Sequence, residues 1–176
     1  MKVTVFGGTY PKPDTTPYEE AVRLGKLLAQ AGHTVITGGY MGVMEAVSKG
    51  AALAGGHVIG VTCDEIERWR KVPKNQWVRE EWRRATLPAR MVTLMDEADA
   101  IIVMPGGIGT LAETALIWNR MLIQASSPKK VILVGEGWKK AIHALFEAFP
   151  EYYPDGHQEM VLFASTVEDA LNYLAN

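Results

Sequence analysis

Short, mostly apolar runs alternate with helix-period segments along the whole chain, and this alternation narrows the architectures open to it. The runs at 3–6, 34–37, 58–62, 100–104, 131–134 and 161–163 have the length and composition of buried strands. Helical periods fall between them at 18–31, 42–54, 88–98, 111–124, 138–149 and 167–174. Strands separated by helices pair in parallel, and the crossovers put helices on both faces, so the expected fold class is α/β, a doubly wound parallel sheet. Local punctuation agrees: Thr16-Pro17 reads as N-cap plus first-turn proline, and Ser165 with Glu168 as a capping box. At 176 residues the expectation is one domain over 1–176.

In an open sheet of this kind ligands bind beyond the carboxyl ends of the strands, where the strand order reverses. Glycine turns follow three of the strands: Gly7-Gly8 with Thr9, Gly38-Gly39, and Gly106-Gly107. If the strand at 100–104 lies beside the first, these turns converge on one crevice. The third opens the segment PGGIGTLAE (105–113), in which Gly106, Gly107 and Gly109 let backbone N–H groups approach an anion at a helix N-terminus. Neither a G-x-x-x-x-G-K-[ST] loop nor a G-x-G-x-x-G fingerprint occurs. Thr110 and Glu113 also have the spacing of a capping box, so Glu113 reads either as a structural cap or as a group that does chemistry.

PGGIGTLAE resembles the PGGxGTxxE signature of the LOG family, often labelled "lysine decarboxylase-like", whose Rossmann-like members hydrolyse nucleoside 5′-monophosphates to a free base and ribose 5-phosphate. The resemblance extends to TGGYMGVMEAVSKGA (37–51) and to LPARMVTL (87–94), which sits where the family has an arginine-centred motif. It implies that Arg90 and Glu113 are the catalytic pair. Gly8, Thr9, Gly38, Gly39, Gly106, Gly107, Gly109 and Thr110 become the candidate phosphate and substrate binders. The family's motif places Met-His and Lys where this chain has Leu87-Pro88 and Met91, and a glycine is common where Glu45 stands. These departures keep a second reading open: a non-catalytic carrier of a phosphorylated heterocycle, as in molybdenum cofactor carriers of similar fold. Decarboxylation is set aside, since no lysine is singled out as a Schiff-base site.

Read alone, Arg90 has no acidic neighbour at three or four residues on its helix, which leaves it either solvated or free to meet an anion. For glycosidic hydrolysis Glu113 would serve next to the anomeric carbon, and its helix N-terminus favours ionisation. No cofactor is expected. The scattered His33, His57, His143 and His157 have no metal-ligand spacing, and the lone Cys63 reads as a buried thiol. A net charge of −2 with dispersed lysines and arginines gives no nucleic-acid footprint, and no apolar run reaches membrane-span length. The absence of a leader points to the cytoplasm. The helices at 41–54 and 111–123 are apolar almost all round, which predicts a homodimer packed through them. The segment 64–84, with Trp69, Trp77 and Trp82 among many charges, reads as an ion-paired connector, the alternative being a lid over the crevice.

Overall fold

The computed structural model describes residues 1–153 and 156–175. Strands β1 (Lys2–Phe6), β2 (Thr34–Thr37), β3 (Val58–Cys63), β4 (Glu80–Arg84), β5 (Ala100–Val103), β6 (Lys130–Val134) and β7 (Leu162–Ala164) form one seven-stranded sheet, ordered β4-β3-β2-β1-β5-β6-β7. Every pairing is parallel. The chain runs outward from β1 to β4, then returns to add β5 on the other side of β1. The switch point therefore lies between β1 and β5.

Alternation along the strands sends side chains to two apolar layers. Val3, Val5 and Ile102 pack under α1 (Thr16–Gln30), α2 (Val43–Leu53) and α7 (Val167–Ala175). Phe6, Ile101 and Val103 face α4 (Leu87–Asp96), α5 (Ile108–Leu122) and α6 (Glu136–Ala148). The doubly wound parallel sheet is thus the observed fold. No helix among the described residues is long and apolar enough to cross a membrane.

Several boundaries differ from the sequence expectation, each for a local reason. The segment 64–84 is not a bare connector, because it forms α3 (Asp64–Arg70) and β4. β4 has no apolar run because it is a sheet edge, where charged residues keep unpaired backbone from recruiting other strands. The cap of α7 is Thr166 with Asp169, in two reciprocal bonds of 3.0 and 3.1 Å, rather than Ser165 with Glu168. Glu168 pairs instead with Arg23 on α1. At α1 the N-cap is Thr15, one residue before the expected position.

Helix α2 does not need a second subunit to cover it, since α1 lies against it. A Cβ on Gly25 would meet the Val47 carbonyl, and one on Gly50 the Val22 carbonyl. The two glycines bring the backbones into contact. Gly25→Ala forces that contact apart and should cost about 1–3 kcal/mol, read as a lower urea midpoint at unchanged slope. An unaltered midpoint would show that the crossing yields without strain.

Candidate active site

The three glycine turns meet at the switch point. The Gly8 N–H donates to the Pro105 carbonyl at 3.1 Å, and the Gly8 carbonyl accepts from the Val43 N–H at 2.9 Å, so the first turn ties the other two together. Beneath them opens a cavity of about 410 Å³, within the size range of ligand pockets. Gly8, Thr9, Gly38, Gly107, Gly109 and Thr110 line it, together with Arg90 and Glu113. Gly39 and Gly106 do not. The Gly39 N–H is taken by the Thr37 hydroxyl at 3.1 Å, and Gly106 is wedged between the Thr110 side chain and the Gly8 backbone.

Helix α5 starts at Ile108, three residues before the expected start, with extended Gly107 as its N-cap. Its first internal bond is Leu111 N–H to the Gly107 carbonyl at 3.0 Å. The amides of Ile108, Gly109 and Thr110 therefore point beyond the helix end, where the dipole favours an anion. Gly107 and Gly109 have open space where a Cβ would stand. This register removes the capping box: Thr110 lies inside the helix, and Glu113 one turn further on.

Arg90 is neither solvated nor unpaired. Its side chain is buried, Nε donates to the Val61 carbonyl at 2.8 Å, and Nη2 donates to the Gly38 carbonyl at 3.2 Å. Gly38 has no Cβ because the guanidinium occupies that space. Nη1 faces Glu113 Oε1 at 3.6 Å, a pairing between α4 and α5 invisible to any test of local spacing. The ring of Tyr40 closes the other side, 5.7 Å from the guanidinium carbon. Its hydroxyl accepts from the Cys63 N–H at 2.7 Å, and burial raises its pKa.

Glu113 is nearly enclosed, and here the expectation of easy ionisation fails. Desolvation raises its pKa to about 7, outweighing the opposing pull of Arg90. Beyond the first helical turn, the dipole gives little relief. Sequence reasoning did not place Tyr40 and Met44 beside the second turn, or Leu87 and Met91 on α4, in the lining; on α3, where it kept a lid over the crevice as the alternative, the lining residues are Ile66, Trp69 and Arg70. The last three share the i, i+3, i+4 spacing of one helix face, a signal present in the segment but masked by its charges. Among the described residues no group of His, Cys, Asp or Glu is arranged to hold a metal ion.

This arrangement has counterparts. The family model described as "SLOG cluster4 family" matches residues 1–147. The chain belongs to that family. The SLOG chain is thereby one of the LOG-like proteins that its PGGIGTLAE motif resembles. An uncharacterized protein of Archaeoglobus fulgidus is 32% identical over 77% of this chain and 85% of its own length. A rice protein named as a probable cytokinin riboside 5′-monophosphate phosphoribohydrolase is 34% identical over 98% of this chain and 82% of its own. The chain spans about half the length of another rice relative so named, at 31% identity over 69% of this chain and 50% of that one. Among solved structures, the molybdenum cofactor binding protein of Rippkaea orientalis superposes with a TM-score of 0.76 at 26% identity, covering 99% of this chain and 94% of that one.

The raised pKa makes a directional prediction for the SLOG chain. A carboxyl held near 7 in the fold, against 4.5 as the ordinary value, favours the folded state while protonated. That contribution is complete below about pH 4.5 and is lost as pH rises through about 7, a change of up to about 3 kcal/mol by pH 8. Unfolding free energy of the parent should therefore fall more steeply between pH 5 and pH 8 than that of Glu113→Gln. Parallel curves would show that Glu113 titrates at its ordinary value.

Proposed function

We propose that the chain hydrolyses the N-glycosidic bond of a nucleoside 5′-monophosphate, releasing the free base and ribose 5-phosphate. The observation that carries this reading is the pairing of buried Arg90 with mostly buried Glu113, 3.6 Å apart, in the wall of a cavity that also holds the amide-rich start of α5. The 5′-phosphate sits on the amides of residues 108–110. That places the ribose toward Glu113. As the C1′–N bond breaks, its electron pair leaves with the base, and water adds at C1′. Glu113 accepts the water proton and passes it to the base, a relay suited to a carboxyl whose pKa lies near neutrality. Glu113 thus serves both halves of the proton inventory, which a carboxylate held permanently ionised could not. Arg90, held on two sides by carbonyls, does not swing to clamp the phosphate; it keeps a positive charge beside Glu113 and offers its Nη1 edge to the ligand. The names of the relatives, such as the rice probable cytokinin riboside 5′-monophosphate phosphoribohydrolase, describe substrates of this chemistry; we place the reaction in the cytoplasm.

A carrier of a phosphorylated heterocycle is the second reading. Leu87 and Met91 favour it, since they put apolar surface on the cavity wall, and the solved binding protein of Rippkaea orientalis has this fold. A panel of nucleoside 5′-monophosphates assayed for ribose 5-phosphate separates the two. The parent should turn over at least one, Glu113→Gln should lose 10²-fold or more while staying folded, and kcat/KM should rise with pH through about 7 as Glu113 ionises. No release from any member, with tight binding of a phosphorylated pterin, decides for the carrier.

The chain also pairs with a second copy in this reading, through α5 and α4 alone. Ile108 (83% exposed), Leu111, Leu87 and Ile123 remain uncovered on that side. Trp118 and Met121 do not belong to this surface, because Phe146 meets the Trp118 ring edge-on at 5.6 Å and both side chains are buried. Sedimentation should give twice the 19.3 kDa chain mass, and Leu111→Asp should halve it. A parental monomer overturns the pairing.

A further inference from the structure

Of the five tryptophans, all within the described residues, Trp69 alone is exposed, at 75%, and it lines the cavity. An indole left in water forfeits one of the largest burial contributions a side chain can make, so its position calls for an occupant. The helix that carries it is divided by face. Asp64 and Glu67 hold Arg83 of β4 at 2.6 and 2.8 Å, and Glu65 accepts from the Leu87 N–H at 2.7 Å. These bonds anchor α3 to the sheet edge and to the start of α4. Ile66, Trp69 and Arg70 are the α3 residues that line the cavity. The Arg70 guanidinium lies over the Trp69 ring, 4.8 Å from its centroid, which holds the side chain by a cation–π contact. Tyr10, 89% exposed on the loop after β1, contributes another exposed aromatic to the same cavity.

We infer that Trp69 is the stacking platform for the heterocyclic base of the ligand, with Arg70 steadying the indole and Tyr10 completing an aromatic rim. The inference rests on the proposed reading only in that the ligand is a phosphorylated nucleoside or comparable heterocycle. It assigns the two ends of that ligand to separate surfaces: the phosphate to the start of α5, the ring to α3. Stacking is tolerant of base identity, because every base presents a π-face. The platform therefore confers affinity for planar heterocycles as a class, and selection among bases falls to polar contacts elsewhere.

Binding by calorimetry to Glu113→Gln protein, which prevents turnover from consuming the ligand, tests the assignment with AMP, GMP and ribose 5-phosphate. Adding Trp69→Leu should weaken AMP and GMP about ten- to a hundredfold and leave ribose 5-phosphate unchanged, while Trp69→Phe should restore most of the loss. Because the side chain is exposed, neither variant endangers the fold. Equal nucleotide affinity with and without the indole, an equal loss for ribose 5-phosphate, or no nucleotide binding at all overturns the platform. If the parent releases no ribose 5-phosphate yet nucleotide affinity falls with Trp69→Leu, the hydrolase reading fails and the platform stands. Hydrolysis by the parent with Trp69→Leu affinities unchanged removes only the platform.

Discussion

A single buried guanidinium organises the carboxyl ends of the strands. Arg90 enters from α4, is held by the carbonyls of Gly38, just after β2, and Val61, within β3, and presents its remaining edge to Glu113 on α5. A charge taken out of water is tolerable only when its donors are satisfied, and here two of the three faces of the fork are spent on the backbone. That commitment accounts for other features around it. A Cβ at position 38 would displace the guanidinium, which fills that space. Tyr40 sets its ring against the cation while its hydroxyl accepts from the Cys63 N–H at the end of β3. Glu113 is brought into a nearly dry environment because its partner is there.

The consequence for Glu113 is a contest whose sign decides what the site can do. An ion pair with Arg90 alone would hold the carboxyl firmly ionised, like a surface salt bridge. Burial acts in the opposite direction and prevails, and the two together leave the group near 7 instead of at either extreme. A carboxyl poised there exchanges its proton at neutral pH, which neither a solvated glutamate nor a fully desolvated one does. The same burial that destabilises the fold at high pH leaves the carboxyl able to gain and lose a proton near neutrality.

How much of this the chain discloses before folding depends on the range of the interaction concerned. The alternation of apolar runs with helical periods is local, and the doubly wound sheet follows from it, including the meeting of the first and third glycine turns at the switch point. Gly107 and Gly109 could be placed at the start of α5, in the cavity wall, because the turn that carries them is confined to a few consecutive residues. Arg90 and Glu113 are 23 positions apart in numbering and on different helices, so no i, i+4 test detects their pairing; the LOG resemblance brought them together where spacing did not. The Thr110–Glu113 box was misleading for the opposite reason. Its spacing is right, but Gly107 starts the helix early and leaves both residues inside it. β4 was illegible because an edge strand needs few apolar residues, and only Trp82 and Arg84 turn part of their surface inward.

The charges of α3 concealed its second face by the same logic. Asp64, Glu65 and Glu67 suggest a solvated connector, and that reading is half right, since these residues do make ion pairs and hydrogen bonds with Arg83 and Leu87. What composition cannot express is that fixing one face of a short helix fixes the other. With the acidic face tied to β4 and α4, Ile66, Trp69 and Arg70 face the cavity without any need to pack against the core. The site is therefore built from two kinds of support. Its deep wall, Arg90 and Glu113, is held by buried backbone bonds, and its outer wall is held by surface ion pairs, which salt screens far more readily than the buried contacts.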